Sequence, residues 1–307
     1  MNGYPAAVSG PETAAQYPFM GRVVAVVGPT ATGKSELGVQ LARQLGAEVV
    51  NADSMQLYRG MDIGTAKLTV AERQGVPHHL LDVWDVRQTA SVAAYQQLAR
   101  AVLDGPPKVF VGGSGLYLRA ALDQLEFPGT DPELRRQLEE ELATHGPAHL
   151  HQRLTELDPD AASRMEVGNG RRIVRALEVI TLTGRMPGAM TSYQEHVPTT
   201  HLGLDRDDLA ERVNARVDRM WAQGLVEEVR GLGELGVTAG RALGYAQALQ
   251  QLQGTLTEDE AKEQTKVATR RFVRRQRSWF RRDPRITWLD PQKDVLDQAL
   301  FLLDSRD

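Results

Sequence analysis

Residues Gly28-Pro29-Thr30-Ala31-Thr32-Gly33-Lys34-Ser35 follow the phosphate-loop spacing G-x-x-x-x-G-K-[ST]. That spacing serves to hold a phosphate chain. The glycines let backbone N–H groups turn inward, a following helix adds partial positive charge, and Lys34 adds a full one. Ser35 offers a hydroxyl to a magnesium ion. Asp53 is the second candidate. It could accept a proton from a nucleophile attacking the phosphorylated ligand, act as an outer magnesium ligand, or simply occupy a turn at Asp53-Ser54. Gly112-Gly113-Ser114-Gly115 is another glycine turn, whose hydroxyl and amides could hold a phosphate oxygen. Arg212 and Arg216 lie one helical turn apart and, with Arg206 nearby, could grip a departing diphosphate. The commoner fate of such arginines is a solvated helix face paired with Asp207, Asp208 or Glu211.

These groups need elements to position them. Val23–Val27 is an apolar, β-branched run that predicts a buried strand, and residues 35–45 place Leu37, Leu41 and Leu45 at helical spacing. Strand, glycine loop and helix in that order give the motif its meaning. Further strands are expected at 48–51, 79–83 and 108–111, with a helix over 91–103. This alternation predicts an α/β fold, a parallel sheet flanked by helices of the P-loop NTPase type. Ligands of such sheets sit beyond the carboxyl ends of the strands, where the phosphate loop, Asp53 and Ser114 all fall. No strand ends in the apolar-run-plus-Asp pattern of an ordinary ATPase magnesium site.

After Phe127-Pro128 the pattern turns helical and charged over 131–185, with breaks at Gly146-Pro147, Asp158-Pro159 and Gly168-Asn169-Gly170. The expected organisation is a disordered extension over 1–20, a core over 21–127 and 199–307, and a helical insertion domain over 128–198. A fifth strand is expected at 201–204. Helices are expected at 208–223, 225–235, 242–252 and 258–282, then an extended segment at 285–289.

Composition removes several classes. The chain of 307 residues has no cysteine, hence no disulfide framework or thiolate metal site. His145 and His149 are at i and i+4, but Gly146-Pro147 breaks the helix between them, so no histidine metal set is expected. The first twenty residues lack the apolar stretch of a signal peptide, and no run is long enough to span a membrane. A cytoplasmic protein is expected. Net charge is −4, yet residues 265–285 hold nine Lys/Arg and one Asp. There Arg270, Arg274, Arg277 and Arg281 form one helical stripe interleaved with Phe272, Trp279 and Phe280. Such crowded arginines predict an anionic polymer lying against them, with a solvated basic face as the plainer reading. Arg171 and Arg175 share a face and could also reach a nucleic-acid backbone.

Together these segments closely resemble the bacterial tRNA dimethylallyltransferase (tRNA isopentenyltransferase) family, from about Val23 to Leu289. The pairing of Asp-Ser-Met-Gln-Leu-Tyr at 53–58 with Gly-Met-Asp-Ile-Gly-Thr-Ala-Lys at 60–67 is highly specific. Val-Gly-Gly-Ser-Gly-Leu-Tyr at 111–117, Arg-Arg-Ile-Val-Arg-Ala-Leu-Glu-Val at 171–179 and Arg-Ala-Leu-Gly-Tyr at 241–245 add to it. The resemblance implies transfer of a dimethylallyl group from dimethylallyl diphosphate to the N6 amine of an adenosine beside the tRNA anticodon, with a magnesium ion. It implies that the phosphate loop binds the diphosphate, that Asp53 is the general base, and that Ser114 and Arg216 contact the diphosphate. It implies contacts to the anticodon stem-loop from Asp53, Ser54, Met55 and Gln56, from Arg171, Arg172, Ile173, Val174 and Arg175, and from Arg241. Two positions depart from the family pattern: Ser114 stands where threonine is usual, and Ala246 where a basic residue often follows Gly-Tyr. A monomer is expected. The alternatives are a P-loop kinase for a nucleotide or small metabolite, which leaves the arginine helix unexplained, and an RNA-binding regulator switched by nucleotide, which leaves Asp53 and Arg216 idle.

Overall fold

The computed structural model describes residues 23–186 and 192–305; the expected extension over 1–20 lies outside the described residues. Every residue of β1 (Val23–Val27) is buried. The chain then turns through the phosphate loop into α1 (Lys34–Leu45), whose Leu37, Leu41 and Leu45 all face inward. Strand β2 (Glu48–Asn51) follows, then β3 (His78–His79), α2 (Val92–Ala101), β4 (Lys108–Gly112) and α3 (Gly115–Leu122). After the insertion come β5 (Thr199–Gly203), a run of helices and β6 (Thr287–Trp288). The sheet order is β3-β2-β4-β1-β5-β6. Every pairing is parallel, with Val27 of β1 level with Gly112 of β4 and Gly203 of β5. One sheet face packs on α1, and the other on Tyr95 of α2 and Leu118 of α3.

The third strand is shorter than the expected 79–83. Leu80 and Asp82 take φ values of 61° and 58°, which end the extended conformation. The side-chain amide of Asn51 donates to the Leu80 carbonyl at 2.9 Å, so this bend is tied to the end of β2.

Residues 125–193 form a compact unit of their own. It contains α4 (Pro132–Leu157), α5 (Pro159–Ser163) and α6 (Gly170–Thr183). Gly146, with φ 78° and ψ 170°, kinks α4 where the Gly-Pro break is expected. Asp131, Asp158 and Asn169 each cap a helix start with a side-chain oxygen. Leu138, Leu150, Leu154, Ile173 and Leu177 form its core. Glu178 is fully buried there between Arg135 at 2.5 Å and Arg175 at 2.6 Å, a carboxylate matched by two guanidinium groups.

In the larger unit, α7 (Leu209–Ala222), α8 (Leu225–Leu232) and α9 (Tyr245–Leu252) pack around Tyr58, Met61 and Tyr245. Helix α8 stops short of the expected 235 because Gly233 turns to φ 68°. Helix α9 starts later than 242 because Gly244, at φ 86°, separates it from a short 3₁₀ turn over Ala239–Arg241. Helix α10 (Glu258–Phe280) opens with a capping box between Thr257 and Glu260. Helix α11 (Val295–Asp304) lies against α1.

The strand ends approach one another too closely for side chains at one point. A Cβ on Gly112 would lie 2.2 Å from the Ala52 carbonyl oxygen, which is backbone and cannot swing aside. Gly112→Ala should therefore lower stability by about 1–3 kcal/mol, the usual range for overpacking. An unchanged urea midpoint would contradict this.

Candidate active site at the carboxyl ends of the strands

Four strand ends supply the groups. The phosphate loop leaves β1, Asp53 follows β2, the Gly113-Ser114 turn follows β4, and Asp205 follows β5. A cavity of about 1080 Å³ opens there and is lined by Thr30, Gly33, Lys34, Ser35, Asp53 and Arg216 among others. Residues that spacing alone leaves 19 positions apart thus share one wall-to-wall space.

Electrostatics organise the cavity. Lys34 is buried, with its ammonium donating to the Pro29 carbonyl and lying 3.5 Å from the Thr32 hydroxyl. Burial first, and then repulsion from Arg216, bring its pKa down to about 7, while Asp53 pulls it upward. Burial also lowers Arg216; Asp53 opposes this, and Arg219 and Arg212 add to it. Arg216 donates to the Thr30 hydroxyl at 2.7 Å. Arg212 donates to the Ala31 carbonyl at 2.8 Å, holding a non-glycine residue at φ 68° in the middle of the loop. The pairing of Arg212 with Asp208 is long, at 4.0 Å, so its guanidinium serves the loop and not the solvated face.

Asp53 is fixed from several sides. Its N–H donates to the Asn51 side chain at 2.9 Å, and its own Oδ1 accepts from Met55 N–H at 2.9 Å. Ser114 does not hold the cavity wall directly; its hydroxyl accepts from Ser54 N–H at 3.2 Å and meets the Ser54 hydroxyl at 3.4 Å. It thereby ties the β4 turn to the Asp53 turn. Gln56 lines the cavity and donates to the Thr65 carbonyl at 3.1 Å.

The Gly-Met-Asp-Ile-Gly-Thr-Ala-Lys segment forms another wall, a role its spacing did not reveal. Lys67 is almost fully buried, donating to Asp62 and Asp82 at 2.6 Å each and to the Tyr58 carbonyl at 2.9 Å. The Glu228 carboxylate accepts from Ile63 N–H at 2.7 Å and from the Tyr245 hydroxyl at 2.5 Å. Gln276 on α10 is the other residue that sequence reasoning passed over. Its carbonyl oxygen accepts from Thr30 N–H at 3.0 Å and its amide donates to Gly113 O at 2.9 Å.

The candidate RNA contacts separate into exposed and committed groups. Ile173 and Val174 are buried in the core of the insertion, because at their positions α6 faces inward; their side chains are closed to RNA. Arg175 is committed to Glu178 and to the Pro128 and Gly129 carbonyls. Arg171 and Arg172 are exposed, as is Arg241. On α10 and at its end, three of the four stripe arginines have polar partners within the chain. Arg277 pairs with Asp205 at 2.8 Å, Arg281 with the same carboxylate at 3.3 Å, and Arg270 with Asn214 at 2.6 Å and Glu263 at 3.2 Å. Arg274 is exposed. Asp205 lies far away in sequence, so the run looked unmatched when read alone.

The model of the IPP transferase family matches residues 56–283, most of the chain. The chain belongs to the IPP transferase family. A tRNA dimethylallyltransferase of Salinispora tropica is 62% identical over 282 residues, spanning 88% of either chain. That of Thermobifida fusca is 58% identical over 302 residues, 92% of this chain and 95% of its own. The crystal structure of a full-length tRNA isopentenylpyrophosphate transferase from Bacillus halodurans matches with a TM-score of 0.67 at 38% identity, over 92% of this chain and 96% of that one. A eukaryotic dimethylallyltransferase captured acting on tRNA matches with a TM-score of 0.78 at 25% identity, over 92% of this chain and 79% of that one. The P-loop-like sheet expected from the sequence is thus the fold of an IPP transferase. No helix among the described residues is long and apolar enough to cross a membrane.

The state of Lys34 sets a pH dependence. Its folded pKa, about 7, lies below its ordinary 10.5. Below about 7 the ammonium is charged in both folded and unfolded chains, and the burial cost is fully present. Between about 7 and 10.5 the unfolded chain binds the extra proton, so stability rises with pH there relative to Lys34→Met. Binding of an anion needs the charged form. Affinity for inorganic diphosphate, measured by calorimetry without metal, should fall toward about tenfold per pH unit above that pKa. A dependence identical in Lys34→Met would refute this.

Proposed function

We propose that the chain transfers a dimethylallyl group from dimethylallyl diphosphate to the N6 amine of an adenosine adjacent to the tRNA anticodon. Family membership supports the coarser statement directly: the chain is a prenyl-transferring enzyme that acts on tRNA. The observation that carries the finer reading is the meeting of Lys34, Arg216 and Asp53 in one cavity. Two cations held close together favour an anionic group between them, and a carboxylate beside them can take a proton.

The chemistry uses each residue. An adenine N6 amine is a poor nucleophile, since its lone pair is delocalised into the ring. It attacks C1 of the dimethylallyl group as the C1–O bond to diphosphate breaks. The proton leaves N6 for the Asp53 carboxylate, and the diphosphate departs with the electron pair of the broken bond. Lys34, Arg216 and the loop N–H groups at the head of α1 neutralise the charge that develops on the leaving group. The extruded base leaves its stack at a cost of a few kcal/mol. Arg171, Arg172, Arg241, Arg274 and Arg281 are exposed candidates to offset that cost through phosphate contacts.

The donor set fits magnesium. Ser35 stands at the head of α1 and lines the cavity, and among the described residues no cluster of three or more His, Asp or Glu forms a closed metal cage. Magnesium takes a few protein oxygens and completes its shell with phosphate and water. Ser35 would hold it, and the ion would supply further neutralisation of the diphosphate.

The kinase alternative is not favoured, because the family and the relatives are named for prenyl transfer. Incubation with unmodified tRNA and labelled dimethylallyl diphosphate, without ATP, should move label into tRNA. Label moving from ATP to a small acceptor instead would overturn the proposal. Asp53→Ala should lower turnover by about 10²–10⁴-fold, the usual worth of a general base. Turnover within a few-fold of the parent would remove Asp53 from the reaction.

A further inference from the structure

We infer that Gln276 is a positioning residue for the diphosphate site, holding the phosphate loop and the β4 turn in register through one side-chain amide. It sits on α10 and is only 5% exposed. Both ends of its amide are committed, and to backbone on different elements. The carbonyl oxygen accepts from Thr30 N–H at 3.0 Å, and the amide nitrogen donates to Gly113 O at 2.9 Å. Neither partner is near it in sequence, so nothing local to α10 requires a glutamine there.

Thr30 is held twice. Gln276 takes its N–H, and Arg216 donates to its hydroxyl at 2.7 Å. The two grips come from different helices, α10 and α7. They set the path of the loop between Gly28 and Gly33, and with it the direction in which the remaining loop N–H groups point. The β4 turn is fitted to the same helix. A Cβ on Gly113 would fall 2.2 Å from the Gln276 amide nitrogen, and one on Gly115 would fall 2.0 Å from Trp279 Nε1. A side chain at Gly113 would push the Gln276 amide out of its hydrogen bonds, and one at Gly115 would displace the Trp279 ring. Helix α10 is tied to α7 by Lys266 with Asp218 at 2.7 Å and to the segment after β5 by Arg277 with Asp205 at 2.8 Å.

Gln276 touches no reacting atom in this account; it acts through Thr30 and Gly113. Its effect belongs to diphosphate binding, and this assignment rests on the function proposed above only for its kinetic readout. Q276M keeps the side-chain volume and removes both hydrogen bonds; Q276A serves as the second variant. Either should raise the Kd for inorganic diphosphate about tenfold, the worth of one to two buried hydrogen bonds. The KM for dimethylallyl diphosphate should rise in parallel, with the KM for tRNA changed less than about twofold, since α10 keeps its other anchors. Val229→Ala on α8 is the control. It truncates a buried side chain in the cluster around Tyr58 and Tyr245, which contains no residue of the phosphate loop. It should lower Tm without moving the diphosphate Kd. An unchanged Kd in Q276M and Q276A overturns the assignment, as does an equal rise in Val229→Ala at matched loss of Tm. If the parent chain transfers no prenyl group to tRNA, the function proposed above fails, and the diphosphate Kd still decides the role of Gln276.

Discussion

Two positive charges held in one buried place set the terms for the rest of this molecule. Lys34 and Arg216 repel each other, and burial makes that repulsion more costly than it would be in water. Such an arrangement survives only when rigid elements hold it. Lys34 is fixed by the start of α1, and that start by β1 at the centre of the sheet. Arg216 is fixed by α7, whose Val213 and Val217 are buried. Asp53 lies on the facing strand end and is the nearby charge of opposite sign that lifts both cations. In the function proposed above, the ligand that answers these two cations carries two linked phosphates, and Asp53 beside them takes the proton.

Helix α10 is the brace behind this arrangement. A run so rich in arginine would be expected to push itself apart. Partners within the chain answer part of it: the distant Asp205 takes two guanidinium groups, Asp218 takes Lys266, and Arg270 meets the Asn214 amide and Glu263 of its own helix. Part of the positive charge is therefore spent on architecture. Arg271, Arg274, Arg275, Arg281 and Arg282 remain exposed.

The parts legible in the sequence were those governed by local rules. Valine runs marked β1 and β4, leucine spacing marked α1, and Gly-Pro and Asn-Gly breaks marked the helices of residues 125–193. The phosphate loop and Asp53 could be placed at strand ends because parallel sheets expose those ends in a fixed way. The parts that stayed hidden depend on long-range contact. The shortened β3 follows from left-handed backbone at Leu80 and Asp82, where the side-chain types give no warning. The inward facing of Ile173 and Val174 is plain only once α6 has a partner helix, although their apolar character was a usable signal. Gln276 carried no signal at all, since one glutamine in a polar stretch looks like any other.

The contact between α10 and the Gly113–Gly115 turn has a further consequence for how this chain can vary. The two surfaces meet so closely that a methyl group on either glycine would displace the Gln276 amide or the Trp279 ring. A larger residue on one side has to be answered by a smaller one at Gln276 or Trp279 on the other. Change across this joint is therefore expected in matched pairs, so that single drifting substitutions are filtered out while compensated doubles pass. The joint behaves as a lock whose two halves can be recut only together.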